Sequence, residues 1–368
     1  MSDKYNKVYF VTGGGTGGHI YPAMAVADAL SEDSKVYYVG NRHNMEFQLA
    51  TKKGYKFLHV GVSGMPRKLN PKLFYWGIKL VRAILFSIRY IKKYKPNAVF
   101  ATGGYVSAPM IFACIITKTP YMMHDCDAMP GLVTRKLCKR AKYVSLAFDK
   151  AKKHIPNRHS IVTGNPIRAE FETLTKQEAS KNLGLKNKLT ICVMGGSQGA
   201  KSINNATVDL LREFSQEKDL QVIFQTGKKN FDEIIEKLKL IYPNYEKDKN
   251  LKVQPYFDDM ISVLKASDIV VSRAGSLSLS EICASSVAPI LVPYPHAAAN
   301  HQRINAKYFV EKGACIYIED ADLDTNKLRE TIFNLVENPV EMNYLIQNTT
   351  YLAKYDATKK IVEHIKSL

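Results

Sequence analysis

Short apolar runs, each closed by a glycine or a turn residue, recur along this chain. "KVYFVT" (Lys7–Thr12) is the first, and "KVYYVG", "NAVFATGG", "PYMMHD" and "KYVSLAF" follow. At residue 189 the pattern begins again with "LTICVMGGSQGAKSIN", then "LQVIFQTG", "LKVQPYF", "SDIVVSRAG", "APILVPYP" and "ACIYIE". Runs this short and this apolar read as strands buried on both faces, as in parallel sheets covered by helices. The segments between them are long enough for helices, which gives βαβ units twice over. The expected fold is α/β, with two doubly wound domains and a ligand cleft between them. The pattern breaks at "VTGNPIRAEF", residues 162–171, where glycine and proline interrupt it. A chain of 368 residues leaves each half a core of its own. Within the first half, Pro22 suits the first turn of a helix running to Leu30.

Charge divides the halves. Residues 1–165 hold 26 Lys and Arg against 8 Asp and Glu, whereas residues 166–368 hold 26 of each, so the net +18 belongs to the first half. A basic habit of the whole proteome would raise both halves. An excess confined to one points to an anionic partner there: nucleic acid, membrane or a phosphorylated substrate. The six cysteines are scattered without a close C-x-x-C pair, which argues against a zinc site or a disulfide framework and for a reduced, cytosolic protein. The polar start "MSDKYNK" lacks the features of a signal peptide, and no uncharged apolar stretch is long enough to span a bilayer.

Candidate chemistry gathers at the ends of the strands. "GGGTGGH" places five glycines in six positions before His19. Gly13, Gly15 and Gly18 fit G-x-G-x-x-G, but the second strand ends "VYYVGNRHN", without the acid a dinucleotide site needs, and no P-loop is present. Glycine loops recur at "TGGYVSAP", with Gly103 and Gly104, and at "GGSQGA", with Ser197; all three follow strands and are expected to line one cleft. A histidine among bare glycines has few side chains to pack on. A helix N-terminus favours the neutral imidazole, which makes His19 a candidate base. Later, "SRAGSLSLSE" puts Ser276, Ser278 and Ser280 at the start of a helix, where hydroxyls and free N–H groups suit a phosphate. Glu281 follows about one turn on, where a carboxylate can take two hydrogen bonds from a ribose diol. "PYPHAAANHQRINA" supplies Asn300, His301 and Gln302 for sugar hydroxyls.

Taken in order, "GGGTGGHIYPA", "TGGYVSAP", "GNPIR", "GGSQGAKSIN", "FDDM", "SRAGSLSLSE" and "PYPHAAANHQRINA" resemble the bacterial MurG-type UDP-N-acetylglucosamine:lipid I N-acetylglucosaminyltransferases, along nearly the whole chain. The resemblance implies a GT-B architecture: two Rossmann-like domains, with the acceptor lipid I and the membrane at residues 1–165 and UDP-GlcNAc at 166–350. It also implies a C-terminal helix, 351–368, packing back toward the first domain. It implies an inverting transfer to the muramyl 4-hydroxyl with no metal and no cofactor. By the same resemblance Thr16, Gly17 and Gly18 meet a diphosphate, and Gly103 and Gly104 belong to the substrate site. His19 is the base, Arg168 and Ser197 touch the diphosphate, and Phe257 flanks the uracil. Ser276, Leu277, Ser278, Leu279, Ser280 and Glu281 hold the α-phosphate and ribose, and His301 and Gln302 the sugar. One departure stands out: the family's H-E-Q-N is "HDCD" here, His124–Asp127. Asp127 then takes the place of a sugar-binding asparagine, and a carboxylate accepts hydrogen bonds without donating.

Three rivals share some of these features. A diacylglycerol glucosyltransferase would differ mainly in the acceptor domain, and a UDP-sugar 2-epimerase would need no lipid. A nucleic-acid-binding protein would explain the charge but not the UDP-sugar cluster. Against the epimerase stands the stretch Asn70–Pro96, read as a helix with Lys72, Lys79, Arg82, Arg89 and Lys93 on one arc and no acid. Leu73, Trp76, Leu80, Ile84 and Ile91 fall elsewhere on the wheel. Such a helix suits an anionic membrane surface, and predicts peripheral binding at the cytoplasmic face of the cell membrane.

Overall fold

The computed structural model describes residues 7–66, 71–156, 158–196 and 198–368. Two units divide the chain: Met1–Arg168 together with Lys354–Leu368, and Ala169–Ala353.

Unit 1 is built on seven strands: β1 (Val8–Thr12), β2 (Lys35–Gly40), β3 (Lys56–His59), β4 (Ala98–Ala101), β5 (Tyr121–Asp125), β6 (Tyr143–Leu146) and β7 (Ser160–Val162). All pair in parallel, in the order β3-β2-β1-β4-β5-β6-β7. The alternation of side chains explains why the runs are apolar throughout. Phe10, Val99 and Met123 face one side, against Ala83 and Met110; Tyr9, Val11 and Phe100 face the other, against Ile20, Val26 and Leu30. Burying each such side chain stabilises the unit by about 1.5–3 kcal/mol. The helices that cover the sheet include α1 (Gly17–Ser31), α2 (Met45–Lys52), α3 (Pro71–Tyr94) and α4 (Gly104–Thr117). The C-terminal helix, Ala357–Lys366, places Ile361 and Ile365 in the same core as α1.

Helix α1 corrects the expected start at Pro22. It opens five residues earlier, at Gly17, because Gly17 and Gly18 accept helical geometry directly after Thr16. Pro22 therefore lies inside the helix, without the N–H that would reach the Gly18 carbonyl. The earlier start places His19 in the first turn.

Helix α3 also refines the wheel. Leu73, Trp76, Leu80 and Ile84 are half-buried and Ile91 is buried, and the Trp76 indole donates to the Ser63 carbonyl at 2.9 Å. A second apolar stripe faces outward: Phe74, Ile78, Val81 and Leu85 are 72%, 52%, 57% and 61% exposed. They line an open groove with Gly77 and Arg82. Lys79 and Arg89 are exposed on the same helix. Asn70, the expected first residue, lies outside the described residues. Among the described residues no helix is long and apolar enough to cross a membrane.

Unit 2 repeats the plan with six parallel strands: β8 (Leu189–Met194), β9 (Leu220–Gln225), β10 (Leu251–Gln254), β11 (Ile269–Ser272), β12 (Ala288–Leu291) and β13 (Ile316–Tyr317). Their order is β10-β9-β8-β11-β12-β13. Helices α5 (Lys201–Val208), α6 (Ser276–Ser285) and α7 (His301–Glu311) follow β8, β11 and β12. In both sheets the strand order reverses beside the first strand, between β1 and β4 in unit 1 and between β8 and β11 in unit 2. Ligands of open α/β sheets bind at such points, off the carboxyl ends of the strands.

Candidate functional site

In unit 1 two of the three glycine loops meet at that reversal. Thr12 pairs with Ala101, so the loop after β1 and the loop after β4 run on side by side. A Cβ on Gly13 would collide with the Thr102 hydroxyl, which donates to the His19 carbonyl at 2.7 Å. Gly104 has φ +72°, and a Cβ there would lie 2.8 Å from the Gly14 carbonyl and 3.1 Å from His19 Cδ2. Glycine is thus required for the imidazole to lie against the second loop. Thr16 is the exposed N-cap of α1, and Gly17 and Gly18 are its first helical residues, whose N–H groups have no helical carbonyl to bond. Loop, helix terminus and imidazole therefore present anion donors and a proton acceptor together.

The segment after β5 backs this site. His124 is buried; its Nε2–H donates to Asn165 Oδ1 at 2.9 Å, and Ser145 Oγ lies 2.8 Å from Nδ1. Burial holds its pKa down at about 4, against the hydrogen bond to Asn165, so the ring is neutral. Asn165, from "GNPIR", also donates to the Cys126 carbonyl at 3.3 Å. Asp125 is buried and accepts from the Gly131 N–H at 2.9 Å and the Asp127 N–H at 3.3 Å. Burial first, and the Asp127 charge second, push its pKa up to about 7. Cys126 Sγ lies 3.8 Å from His19 Nδ1 and 3.8 Å from Asp127 Oδ2.

In unit 2 the loop after β8 and the start of α6 flank the reversal, because Met194 pairs with Ser272. Ser197 lies outside the described residues. Gln225 connects the loop to the uracil candidate: its Oε1 accepts from the Phe257 N–H at 2.9 Å, and its amide donates to the Gly196 carbonyl at 3.4 Å. The Phe257 side chain is buried. Ser276 is buried, Leu277, Ser278 and Glu281 are half-buried, and Ser280 Oγ donates to the Ser276 carbonyl at 3.1 Å. Leu279 is wholly buried, and its N–H donates to the Gly275 carbonyl at 2.9 Å. His301 Nδ1 lies 2.7 Å from the Ala298 carbonyl at the start of α7. Gln302 Oε1 accepts from the Tyr294 N–H at 3.0 Å, which leaves its NH2 end as the donor for a ligand. Arg168 is exposed at the last position of unit 1.

Several residues escaped the motif reading. Arg273 pairs with Asp320 at 2.5 Å, and donates to Ser202 Oγ at 2.9 Å and to the Val292 carbonyl at 3.0 Å. It ties α5, β11, β12 and the loop at residue 320 together beside the phosphate candidates. A lone arginine ending an apolar strand, "IVVSR", was its only signal. Asn204 and Asn305, both buried, hold the Thr226 and Ala274 carbonyls at 2.8 and 3.2 Å. In unit 1, Glu46 is buried behind Gly14 and accepts from the Asn41 N–H at 3.2 Å.

Comparison with known proteins bears on both units. Residues 9–145 match the glycosyltransferase family 28 N-terminal domain, and residues 190–364 its C-terminal domain. The chain is 36% identical over 365 residues (98% of this chain, 99% of the relative) to the UDP-N-acetylglucosamine–N-acetylmuramyl-(pentapeptide) pyrophosphoryl-undecaprenol N-acetylglucosamine transferase of Thermoanaerobacter sp. (strain X514). It is 37% identical to the same-named protein of Desulfitobacterium hafniense (strain Y51), covering 96% of each. The crystal structure of Acinetobacter baumannii MurG matches with a TM-score of 0.78 at 26% identity, covering 98% of this chain and 99% of that one. A UDP-GlcNAc 2-epimerase from Neisseria meningitidis matches with a TM-score of 0.69 at 14% identity, covering 98% of this chain and 100% of that one, which is a likeness of fold alone.

Proposed function

The chain belongs to glycosyltransferase family 28 as a MurG-type member, and from that premise we propose that it moves GlcNAc from UDP-GlcNAc to the 4-hydroxyl of MurNAc in lipid I, giving lipid II and UDP in peptidoglycan synthesis. The observation that carries this reading is His19, seated in the first turn of α1 against the second glycine loop. A sugar hydroxyl is a poor nucleophile, and an imidazole among anion-binding N–H groups supplies what a pyrophosphate-bearing acceptor needs. The hydroxyl attacks the anomeric carbon with inversion while its proton passes to His19. The bond from that carbon to the phosphate oxygen breaks, and its electron pair leaves with UDP.

Unit 2 takes the donor. Ser276, Leu277, Ser278, Leu279 and Ser280 at the N-terminus of α6 bind the α-phosphate, with Arg168 and Ser197 on the diphosphate. Glu281 accepts from the ribose, Phe257 flanks the uracil, and His301 and Gln302 hold the sugar. In unit 1 Thr16, Gly17, Gly18, Gly103 and Gly104 line the acceptor side. No metal enters this scheme: fixed N–H groups stabilise the leaving charge.

The enzyme acts at the cytoplasmic face of the cell membrane as a peripheral protein. The support is the outward stripe of α3, Phe74, Ile78, Val81 and Leu85, next to Lys79, Arg82 and Arg89 with no acid on the helix. Apolar burial and attraction to anionic lipid would act together there. Cell-wall and division proteins are its expected neighbours. Labelled UDP-GlcNAc offered with a lipid I analogue, beside UDP-glucose with diacylglycerol, tests the activity. Label must enter a lipid II product in the first arm; transfer in the second arm alone overturns the assignment.

A further inference from the structure

The segment "HDCD" departs from the family pattern next to the proposed base, and its contacts form a chain. Cys126 is buried, held at its carbonyl by Asn165. Its Sγ lies 3.8 Å from Asp127 Oδ2 on one side and 3.8 Å from His19 Nδ1 on the other. The Asp127 carboxylate can only accept, so the thiol proton points to Asp127 and the sulfur lone pairs turn to the imidazole. A sulfur in that state accepts from Nδ1–H. The tautomer with Nδ1 protonated is the one whose Nε2 carries a lone pair, and with Nδ1 against Cys126 it is Nε2 that is left to take a proton from an acceptor hydroxyl.

We propose that Cys126 and Asp127 are positioning residues for His19, fixing the Nδ1–H tautomer through a carboxylate–thiol–imidazole chain. This rests on the reading of His19 as the base. During transfer the hydroxyl proton moves to Nε2, the new glycosidic bond forms, and UDP leaves with the electron pair. The Nδ1 and thiol protons stay where they are. The Asp127 charge, relayed by the polarised thiol, stabilises the imidazolium that results. Cys126 Sγ meets Nδ1 of His19, Asp127 lies beyond the thiol, and His124 is near enough to feel the His19 charge; Gly103, the N-cap of α4, and Gly104, its first residue, carry no titratable side chain. The proposal also moves Asp127 from reading the donor sugar to serving the base.

The test uses the full-length enzyme with UDP-GlcNAc and a soluble lipid I analogue. Cys126→Ala should lower kcat about 3- to 10-fold, the scale of one lost orienting hydrogen bond, with both KM values unchanged. Cys126→Ser, whose hydroxyl both accepts and donates, should recover most of that loss. Asp127→Asn keeps an acceptor but loses the charge, so the acid limb of the kcat/KM profile should move to lower pH. In the 15N spectrum of the wild type, assigned by comparison with His19→Ala, Nδ1 of His19 should carry the proton. A proton on Nε2 instead overturns the proposal. So does an unchanged kcat and acid limb in Cys126→Ala. If Asp127→Asn shifts the preference for UDP-GlcNAc over UDP-GalNAc and leaves the limb in place, Asp127 reads the sugar and the proposal fails. Should Cys126→Ala not fold, Asp127→Asn and the wild-type spectrum decide alone. Wild-type turnover in His19→Ala would show that the base assignment itself, not its positioning, is wrong.

Discussion

The loops after β1 and after β8 begin from one supersecondary plan and end in different chemistry. Each follows the third strand in the order of a parallel sheet, carries bare glycines and leads into a helix at the point where strand order reverses. In unit 1 the end of β5 supplies a buried histidine held neutral and a buried carboxyl pushed toward neutrality, and the next residue a buried thiol against His19. In unit 2 the neighbours are the Arg273–Asp320 pair and the buried amides of Gln225, Asn204 and Asn305, which hold backbone in place. The first environment suits moving a proton and the second suits binding an anion. A glycine loop at a strand end thus sets where a ligand sits, and the adjoining strand ends set what is done to it.

That contrast predicts which quantity each mutation should change. His19→Ala should lower kcat by about 10²–10⁴ with UDP-GlcNAc affinity kept, as measured by steady-state kinetics and calorimetry. A loss of donor affinity without a loss of turnover would invert the comparison. The charge of unit 1 comes next. Replacing Lys79, Arg82 and Arg89 together with Glu should weaken sedimentation with phosphatidylglycerol vesicles by roughly 10²-fold or more, at about 1 kcal/mol per basic residue. Activity on a soluble acceptor should survive, and neutral phosphatidylcholine or added salt should mimic the loss. Falling activity on the soluble acceptor would mean that α3 serves the fold and not a membrane.

In unit 2, Arg273→Ala should destabilise by about 2–3 kcal/mol in urea melts, because the partly buried Asp320 is left without its cation. A stability within 0.5 kcal/mol or so of wild type would remove Arg273 as the tie between these loops. Glu281→Ala should raise the Kd of UDP by about 10- to 150-fold, the value of a charge-assisted hydrogen bond of about 1.5–3 kcal/mol. The variant should no longer distinguish UDP from its 2′-deoxy analogue; if it still does, another residue reads the ribose.

The smallest effect concerns Asp125 and His124. Asp125 is raised from 3.8 to about 7, so the native state keeps a proton that the unfolded chain releases, and stability falls as pH rises through that window. His124 is lowered from 6.5 to about 4, so the unfolded chain gains a proton first and stability falls as pH drops through that window. The two slopes oppose each other between about 4 and about 6.5. Asp125→Asn should unmask the His124 slope, at most about 1.4 kcal/mol per pH unit, as an acid-side loss in urea midpoints that the wild type lacks. Parallel curves for variant and wild type would separate this network from the fold's stability.

Local pattern was enough for the six strands of unit 2 and for five of the seven in unit 1, because a strand buried on two faces is apolar along most of its length, as in "VYFVT" and "LTICVM". The edge strands β3 and β7 escaped it, being short and only partly buried. The glycine loops, His19 and the serines of α6 were legible for a similar reason: backbone approach and helix termini demand particular residue types at fixed offsets. Helix α1 was misread at its start because Pro22 tolerates either position, and α3 hid its outward stripe because two apolar faces blur a single wheel.

What sequence alone determined about this protein is the set of short-range facts: where the buried strands form, where glycine is compulsory, and that unit 1 carries the whole excess of positive charge. Tertiary structure alone decided which side chains, far apart along the chain, share one neighbourhood. Cys126 meets His19 across 107 residues, Arg273 meets Asp320 across 47, and Ile361 joins the core of the first helix. The physical reason is that strand order, not chain order, sets which loops adjoin. That order follows from burying both faces of each sheet at once, which no local window of sequence contains.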